Sequence, residues 1–175
     1  RLNASVFSTQ FIANHHATIN YLTATSQDAK AQQSLQQSLQ YLIQKSPPFS
    51  KLSIFNSQGQ EVFKLTHNDS TPTILKQNKR DSKDQILLTV ADTLKTNHFN
   101  ISPITLSSVN SIPETPYKPI IRVTVPIDDY QHHRLGTIVI NFNPQLIFDQ
   151  LAAITSEQVQ FTSLFFTPQG HFLEH

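Results

Sequence analysis

The first 46 residues carry hydrophobic side chains at helical spacing among Thr, Asn and Gln. A polar break over residues 23–28 divides this stretch into two predicted helices, and the pair Pro47-Pro48 ends the second one. Either Ser26 or Asp28 fits the N-cap of the second helix. The side of that helix predicted to be buried is a single apolar stripe, made by Leu35, Leu39, Leu42 and Ile43.

From residue 49 the pattern changes to the alternation typical of β-strands. Residues 49–56 and 61–66 flank a short turn in which Gly59 can adopt a positive φ, so they predict a hairpin. A third β-like run, residues 98–107, contains a proline and is therefore predicted as an edge or bulged strand. The clearest alternation lies in residues 118–142, where two β-rich runs separated by a polar break predict a second hairpin at the centre of a sheet.

Two more helices are predicted after the first hairpin. Residues 83–96 have helical spacing, with Asp81 or Ser82 as the N-cap. Asn143 and Pro144 fit the cap and the first residue of another helix. The remaining predictions are a polar loop over residues 67–82, a proline-rich loop over residues 110–119 and a β-like run over residues 159–166.

Composition restricts the classes of function. The chain has 175 residues, enough for one domain with a substantial core, and its 13 basic and 12 acidic residues leave a net charge of +1. This balance disfavours nucleic acids and anionic membranes as partners, because no basic surface dominates. Cysteine is absent, which excludes disulfides and thiol catalysis, and no apolar run reaches the roughly 18 residues that a membrane span needs.

Residues with catalytic or metal-binding chemistry are sparse. Three glycines are too few for a phosphate-cradling loop, and no nucleophile elbow or catalytic triad pattern occurs. The adjacent pairs His15-His16 and His132-His133 point to different faces, so they predict exposed, solvated side chains rather than a metal site. The pair Asp128-Asp129 is predicted to lie in an ordinary turn after a strand.

Three segments resemble the extracytoplasmic Cache sensor domains, which are PAS-like modules of bacterial membrane receptors. Residues 49–65 (FSKLSIFNSQGQEVFKL) match the family's first strand, N-x-x-G-x-E turn and second strand, and residues 101–106 (ISPITL) match the entry to its third strand. Residues 116–142 (PYKPIIRVTVPIDDYQHHRLGTIVINF) match a KP-x-IR pattern followed by a G-x-(I/V)-V-(I/V)-N-(F/Y) strand. Where the family has glycine in the turn before the final strand, this chain has residues 129–133, which predicts a longer or differently shaped turn.

The resemblance implies an α+β fold of Cache type, a PAS-like five-stranded antiparallel sheet with a long N-terminal helical segment along one face and a shallow ligand pocket on the other. It divides the chain into a helical segment (residues 1–46), a sensor domain (residues 47–157) and a C-terminal strand pair (residues 158–175). That strand pair resembles the start of a second, membrane-proximal PAS-like unit, and the alternative is a reduced version of the family with a single module. The chain is accordingly expected to be part of a longer protein, with residues 1–5 just outside a transmembrane helix.

The same resemblance implies a non-catalytic, periplasmic, ligand-sensing domain of an inner-membrane histidine kinase or diguanylate cyclase, with no cofactor and no metal. The expected partner is a small molecule, for example an organic anion. A homodimer through the N-terminal helix is expected to use Phe7, Phe11 and Ile12. The main alternative is an interaction module that binds a periplasmic protein and has no small-molecule ligand, and a hydrolytic enzyme is the more remote one.

The candidate ligand-binding residues lie in or beside the central hairpin and its neighbouring strand: Lys118, Arg122, Ser102 and Thr124. Arginine suits the bidentate capture of a carboxylate or phosphate, which favours a pocket for an organic anion. The competing interpretation is that Arg122 holds a loop carboxylate, such as Glu61 or Asp128, in a structural ion pair.

Overall fold

In the structure, a computed structural model, we describe residues 2–24, 28–45, 49–66, 82–109, 112–113, 115, 118–145, 148–149, 165–166 and 172–174. The helices in these ranges are α1 (Leu2–Ala13), α2 (His16–Thr23), α3 (Ala29–Lys45) and α4 (Ser82–Thr93). The strands of the main sheet are β1 (Phe49–Asn56), β2 (Glu61–Thr66), β3 (Asn100–Ile101), β4 (Thr105–Leu106), β7 (Pro119–Asp128) and β8 (Arg134–Phe142). Two further pairs are formed by β5 (Ser108–Val109) with β6 (Ile112–Pro113) and by β9 (Phe165–Phe166) with β10 (Phe172–Glu174).

The main sheet is antiparallel and has the strand order β2-β1-β8-β7-β3. β4 pairs with β7 further along the edge that β3 uses, so the two short strands share the fifth position of the sheet. They are separated at residues 102–104, where Pro103 has no N–H to give to the ladder. Within the described residues, the predicted antiparallel sheet with five strand positions is therefore confirmed, and its edge strand is broken at the predicted proline.

The β7–β8 hairpin separates the two faces of the sheet. Its register pairs Val123 with Ile140 and Val125 with Ile138, and these four side chains are at most 2% exposed. They point to the first face, which holds the main hydrophobic core. Side chains at the alternate positions, Arg122 among them, point to the opposite or second face. The predicted central hairpin is confirmed, and its alternation assigns one parity to the core.

Helices α1, α2 and α3 supply the core of the first face. Val6 and Ile12 of α1, Ile19 of α2 and Leu35 and Leu39 of α3 pack against the core-facing residues of the strands. The predicted stripe on α3 is confirmed at Leu35 and Leu39. The side chains of Leu42 and Ile43, the other members of the predicted stripe, lie outside the described part of the structure.

The helix α3 begins at the predicted cap. The Asp28 Oδ1 atom accepts hydrogen bonds from the backbone N–H of Lys30 (2.9 Å) and of Ala31 (3.3 Å). These are two of the N–H groups that a helix leaves without an intrahelical partner, so Asp28 stabilises the first turn. Ser26, the alternative cap, lies outside the described residues.

The first predicted helix is in fact two helices, with a break at Asn14 and His15. His15 is extended (φ −71°, ψ 134°), and its Nδ1 atom accepts a hydrogen bond from the Ala17 N–H at 3.3 Å. The Thr18 hydroxyl donates to the Ile12 carbonyl (2.8 Å) near the end of α1. His15 is therefore a half-buried helix cap and not a solvated side chain, whereas His16 is exposed as predicted.

Burial also corrects the expected dimer contact. Ile12 is 2% exposed and belongs to the core of its own chain, so it cannot contact a second copy. Phe7 and Phe11 lie on the opposite side of α1 and are 70% and 48% exposed. Hydrophobic spacing alone could not separate these residues, because α1 is apolar on both its buried and its exposed sides.

Two smaller differences and one predicted cap concern the connections. Helix α4 ends at Thr93 and not at residue 96, and the β5–β6 pair extends into the stretch predicted as a loop over residues 110–119. The Asn143 Oδ1 atom accepts from the Gln145 N–H (2.9 Å), which supports the predicted cap there. Residues 67–81, which include the alternative cap Asp81, and residues 150–164 fall outside the described part of the structure, and the division of the chain at residues 46 and 157 stays a prediction.

Candidate functional site

The second face of the sheet carries the candidate ligand-binding residues. The strand register aligns Lys51, Asn141 and Arg122 in one row across β1, β8 and β7, and Ser53, Val139 and Thr124 in the next row. Neighbouring strands lie roughly 4.8 Å apart, so the Cα atoms of Lys51 and Arg122 are about 10 Å apart. α4 packs over part of this face, where Leu88 contacts the cluster of Phe55 and Val139.

Arg122 lies on β7 at the end of its row, next to the β3–β4 edge. One of its terminal nitrogens donates to the Thr105 hydroxyl at 2.7 Å. Both carboxylates that were weighed as its ion-pair partners are bound by other cations: Glu61 by Lys51 (3.4 Å) and Asp128 by Arg134 (2.6 Å). Glu61 and Asp128 are therefore not the carboxylates that Arg122 would hold, and a structural pair with another loop carboxylate stays a prediction.

Thr124 is fully buried two residues further along the same face. Its hydroxyl oxygen has no hydrogen-bond partner in the described part of the chain. A buried hydroxyl that is left unsatisfied costs about 1–3 kcal/mol, because it gives up its hydrogen bonds to water. Arg122 and Thr124 thus bring a guanidinium and an unpartnered hydroxyl together on one side of β7.

Ser102 and Lys118 are placed differently. The Ser102 hydroxyl accepts from the Arg122 backbone N–H (3.0 Å) and donates to the Pro103 carbonyl (2.8 Å). It thereby continues the pairing with β7 where the edge strand is broken. Lys118 is exposed at the entrance to β7, and its carbonyl accepts from the Ser107 N–H at 2.7 Å. Both residues border Arg122 or its strand, but the Ser102 hydroxyl is already bound to backbone.

A polar cluster at the other end of the second face was not among the candidate residues. The Glu61 carboxylate accepts from the Ser53 hydroxyl (2.5 Å) and pairs with Lys51, and its side chain is 13% exposed. Glu61 is the last residue of the N-x-x-G-x-E motif, so the motif was the signal that could have identified it. A ligand that reaches across the sheet would meet this carboxylate as well as Arg122.

The turn of the motif explains its other two residues. Asn56 Oδ1 accepts from the N–H groups of Gln58 (3.1 Å) and Gln60 (2.9 Å), which closes the turn locally. Gly59 has φ 68°, the left-handed region in which glycine has no steric penalty. The hairpin predicted around Gly59 is confirmed, and this turn sets the point at which Glu61 enters β2.

Arg134 is a second polar residue that sequence reasoning did not identify. Besides its bond to Asp128, it donates to the carbonyls of Ala91 (2.8 Å) and Leu94 (2.9 Å) at the C-terminal end of α4. A cation is favourable there because the last carbonyls of a helix are unpaired and carry the negative end of its dipole. Arg134 therefore holds the C-terminal end of α4 against the second face. These contacts join residues that are far apart in the sequence, so no local sequence pattern predicts them.

The turn between β7 and β8 has the different shape that the missing glycine predicted. Asp129 Oδ1 accepts from the N–H groups of His133 and Gln131 (both 2.8 Å), and Oδ2 lies 3.0 Å from His133 Nδ1. Hydrogen bonding from the His133 backbone, followed by the other contacts, lowers the pKa of Asp129 below its usual 3.8. His132 takes the positive φ of 64° that glycine would otherwise supply. Asp129 is thus a turn residue as predicted, whereas Asp128 ends β7 as a buried partner of Arg134.

The arrangement can bind a small molecule through charge and hydrogen bonds. Arg122 offers a cation and Thr124 an unpartnered hydroxyl, and Lys51 and Glu61 form an ion pair two and three strands away from β7. Among the described residues, no group of three or more His, Cys, Asp or Glu side chains could hold a metal ion. No helix in the described ranges is long and apolar enough to cross a membrane.

A five-position antiparallel sheet with helices over one face and a polar second face is the architecture of a PAS-like sensor domain of Cache type. The chain belongs to the family of bacterial histidine kinase sensor domains, whose model matches residues 1–175. Domains of this family sense signals and are not themselves catalytic. A comparison with curated proteins found no match.

Solved structures show the same fold. The chain is similar to an extracellular domain described as that of a histidine kinase, vpHK1S-Z8 (TM-score 0.65, 16% identity, 81% of this chain and 50% of that one). It is also similar to a domain of a sensory box/GGDEF family protein from Vibrio parahaemolyticus (TM-score 0.66, 14% identity, 81% of this chain and 53% of that one). A third similar structure is the ligand-binding domain of the Campylobacter jejuni chemoreceptor Tlp3 in complex with L-valine (TM-score 0.61, 13% identity, 98% of this chain and 61% of that one).

These findings confirm the predicted Cache-type sensor domain of a bacterial signalling receptor, and its predicted extracytoplasmic location agrees with them. The chain spans between half and about three fifths of the length of these three solved domains. The roles of Lys118, Arg122, Ser102 and Thr124 in ligand binding stay predictions.

Proposed function

We propose that this sensor domain detects a small molecule with an anionic group, which binds the second face of the sheet between β7 and the covering helix α4. The observation that carries the proposal is the unpartnered, fully buried hydroxyl of Thr124 beside the guanidinium of Arg122. A ligand carboxylate at Arg122 would make charge-assisted hydrogen bonds, and a neighbouring ligand atom would satisfy Thr124. Lys118, exposed at the entrance to β7, adds positive charge to the approach.

The first compounds to test are small carboxylates, including amino acids. Tlp3 has been solved with L-valine, and an amino acid offers both a carboxylate and an ammonium group. In this chain the carboxylate would face Arg122. Glu61 lies on the same side of the sheet but three strands away from β7, so only a cationic group at the end of a long side chain, and not the α-ammonium group, could reach it. A simple organic anion would use Arg122 alone, so the two ligand classes differ in their dependence on Glu61.

In the whole protein, the domain is proposed to regulate a kinase or diguanylate cyclase across the inner membrane. The ligand changes the equilibrium between two arrangements of the sensor only by its difference in affinity for them. The C-terminal strand pair, residues 158–175, is proposed to begin a second, membrane-proximal unit. The test compares the unfolding of this chain with that of a chain extended beyond residue 175. If the extended chain shows neither a further cooperative transition nor greater stability, the second unit is contradicted.

The decisive experiment is a thermal unfolding screen with the wild type and Arg122→Ala. A ligand present at 100 times its Kd should stabilise the wild type by about 2.7 kcal/mol. For a domain of this size, that raises Tm by roughly 5–10 °C. Arg122→Ala should keep its fold and lose this increase, whereas Lys30→Ala, which removes an exposed cation from α3, should keep it.

Two outcomes would contradict the site. An equal Tm increase in Arg122→Ala would show that the guanidinium does not bind the ligand. An unfolded Arg122→Ala chain would assign Arg122 a structural role, since its contact with Thr105 also links β7 to the edge strand. If no small carboxylate stabilises the wild type, the alternative of a module that binds a periplasmic protein is favoured.

The exposed side of α1 is proposed to pair with a second copy of the chain. Phe7 and Phe11 lie there, and residues 2–24 contain no Lys, Arg, Asp or Glu. Because a two-fold contact brings the same surface of both copies together, an uncharged surface avoids repulsion between like charges. Phe7→Glu should weaken dimers by roughly tenfold or more, an effect of at least 1.4 kcal/mol. Light scattering over a concentration series tests this, with Tyr130→Glu at an equally exposed aromatic as the control; a wild type that stays monomeric refutes it.

A further inference from the structure

The connection between α4 and β3 touches elements on both sides of the sheet. On the second face, Arg134 binds the carbonyls of Ala91 and Leu94 and so holds the C-terminal end of α4. The helix ends there, since the Leu94 N–H turns back to the Ala91 carbonyl at 3.1 Å. The position of this end of α4 therefore depends on Arg134 and on its buried partner Asp128.

The same connection reaches α1 three residues later. The Gln10 side chain donates to the Asn97 carbonyl (2.8 Å), and the Asn14 side chain donates to Asn97 Oδ1 (3.2 Å). Asn97 has φ 63°, and the turn around it is closed by the His98 N–H bonding to the Lys95 carbonyl (3.0 Å). A closed turn with a left-handed asparagine is a short and stiff link, because few residues accept its backbone angles.

The closed turn around Asn97 connects the Arg134 contact at the end of α4 with the Asn97 contact at the end of α1. Only the residues between Leu94 and Asn97 separate the Arg134 contact from the α1 contact. A shift of the end of α4 cannot be absorbed over such a short closed turn without moving Asn97. α1 itself packs directly on β7 and β8, so a displacement of Asn97 acts on a helix that is already seated on the core.

We propose that the turn centred on Asn97, held by Arg134 on one side and by Gln10 and Asn14 on the other, couples the covering helix α4 to α1. In the setting of the proposed function, on which its signalling role rests, a ligand under α4 would move this turn and so bias α1. Arg134 positions the end of α4, and Asn97 is the residue of the turn that contacts α1. The coupling itself is a property of the chain without ligand and can be measured without one.

Hydrogen–deuterium exchange of the wild type and Arg134→Gln tests the coupling. The variant removes the charge at the end of α4 and should raise amide exchange there by roughly tenfold, as expected when a local opening becomes easier. If the turn couples the helices, the last turn of α1, residues 10–13, should also exchange several-fold faster. The amides of the β1–β2 hairpin, at the other edge of the sheet, should not change, which separates coupling from global destabilisation.

Two further variants keep the test decisive. Asn97→Gly retains the positive φ but removes the side chain that Asn14 binds, so it should increase exchange in α1 and leave the end of α4 protected. Lys51→Gln makes the same cation-to-amide change as Arg134→Gln at the far edge of the sheet and should leave α1 unchanged. If Arg134→Gln does not fold, Arg134→Lys takes its place, because lysine keeps the charge but not the fork that reaches both carbonyls.

One pattern overturns the proposal: the end of α4 loosens and α1 keeps its protection. Equal effects on α1 from Lys51→Gln and Arg134→Gln would also overturn it, since the response would then not pass through the turn. Failure of the proposed function looks different, because it appears as a missing Tm increase in the ligand screen while the exchange coupling remains.

Discussion

Gly136→Ala is expected to destabilise the domain through a backbone collision inside the sheet. A Cβ atom at Gly136 would lie 2.1 Å from the Phe55 carbonyl oxygen on β1, which is 1.3 Å short of the 3.4 Å at which ordinary contact begins. The obstacle is backbone in the neighbouring strand, so no side-chain rotation relieves it. β1 and β8 would have to separate where Asn56 pairs with Gly136 and Phe55 with Thr137.

The size of the effect follows from that separation. Moving the strands apart by about 1 Å takes one or two ladder hydrogen bonds beyond the usual 2.7–3.2 Å range. Each lost bond costs about 1 kcal/mol net and more where a buried group stays unpaired, and overpacking adds about 1–3 kcal/mol. A total near 3 kcal/mol corresponds to a Tm decrease of roughly 6–12 °C for a domain of this length.

Thermal unfolding followed by circular dichroism measures the decrease, and Gly59→Ala provides the matched control. Gly59 has φ 68° in a turn, so alanine there costs roughly 1–2 kcal/mol of backbone strain. The expected order of Tm is wild type, then Gly59→Ala, then Gly136→Ala. A Gly136→Ala protein as stable as the wild type, or more stable than Gly59→Ala, would refute the close approach of β8 to β1.

Three other predictions concern single residues. Thr124→Val removes the unpartnered hydroxyl while keeping the shape, so in the absence of ligand Tm should rise by roughly 2–4 °C for a gain of about 1 kcal/mol; a decrease would mean that the hydroxyl has a partner. Leu35→Ala should lower the free energy of unfolding by about 2–5 kcal/mol in urea titrations, because Leu35 is fully buried in the core, and a loss below about 1 kcal/mol would contradict that burial. The pKa of Asp129 is lowered in the folded state, so its contribution to stability is complete above the unfolded pKa and is lost as pH falls through the folded value. Asp129→Asn should therefore lose less stability than the wild type when unfolding is compared between pH 6 and pH 3, and identical pH profiles would count against the turn contacts.

Much of the fold could be predicted because its signals are local. Alternation in β7 and β8 follows from the period of two in a strand, and Gly59 and Pro103 act through their own backbone angles and missing donor. The break between α1 and α2 gave no such signal, because hydrophobic spacing continues across it and the cap is a histidine. Helical spacing likewise could not tell that Ile12 faces the core while Phe11, its neighbour, is exposed.

The position of two candidate residues follows from the same local signal. Arg122 and Thr124 alternate with the core residues of β7 in the sequence, and in the structure they lie on one face. What the sequence could not provide is pairing across the fold: Lys51 and Arg134, and not Arg122, neutralise Glu61 and Asp128. These pairs join residues in different strands or link the sheet to α4, and they depend on the register and the packing.

The residues that carry the family resemblance do mostly structural work, and this limits what membership of the family can say about the ligand. Asn56 and Gly59 close the first hairpin turn, and Gly136 lets β8 approach β1. These roles would be the same whichever molecule the domain detects. In the proposed function the ligand is recognised instead by Arg122, Thr124 and Glu61, whose charged and hydrogen-bonding groups lie on the second face of the sheet. Ligand specificity should therefore respond to changes at these three residues, while changes at the motif glycines should alter stability and leave specificity unaffected.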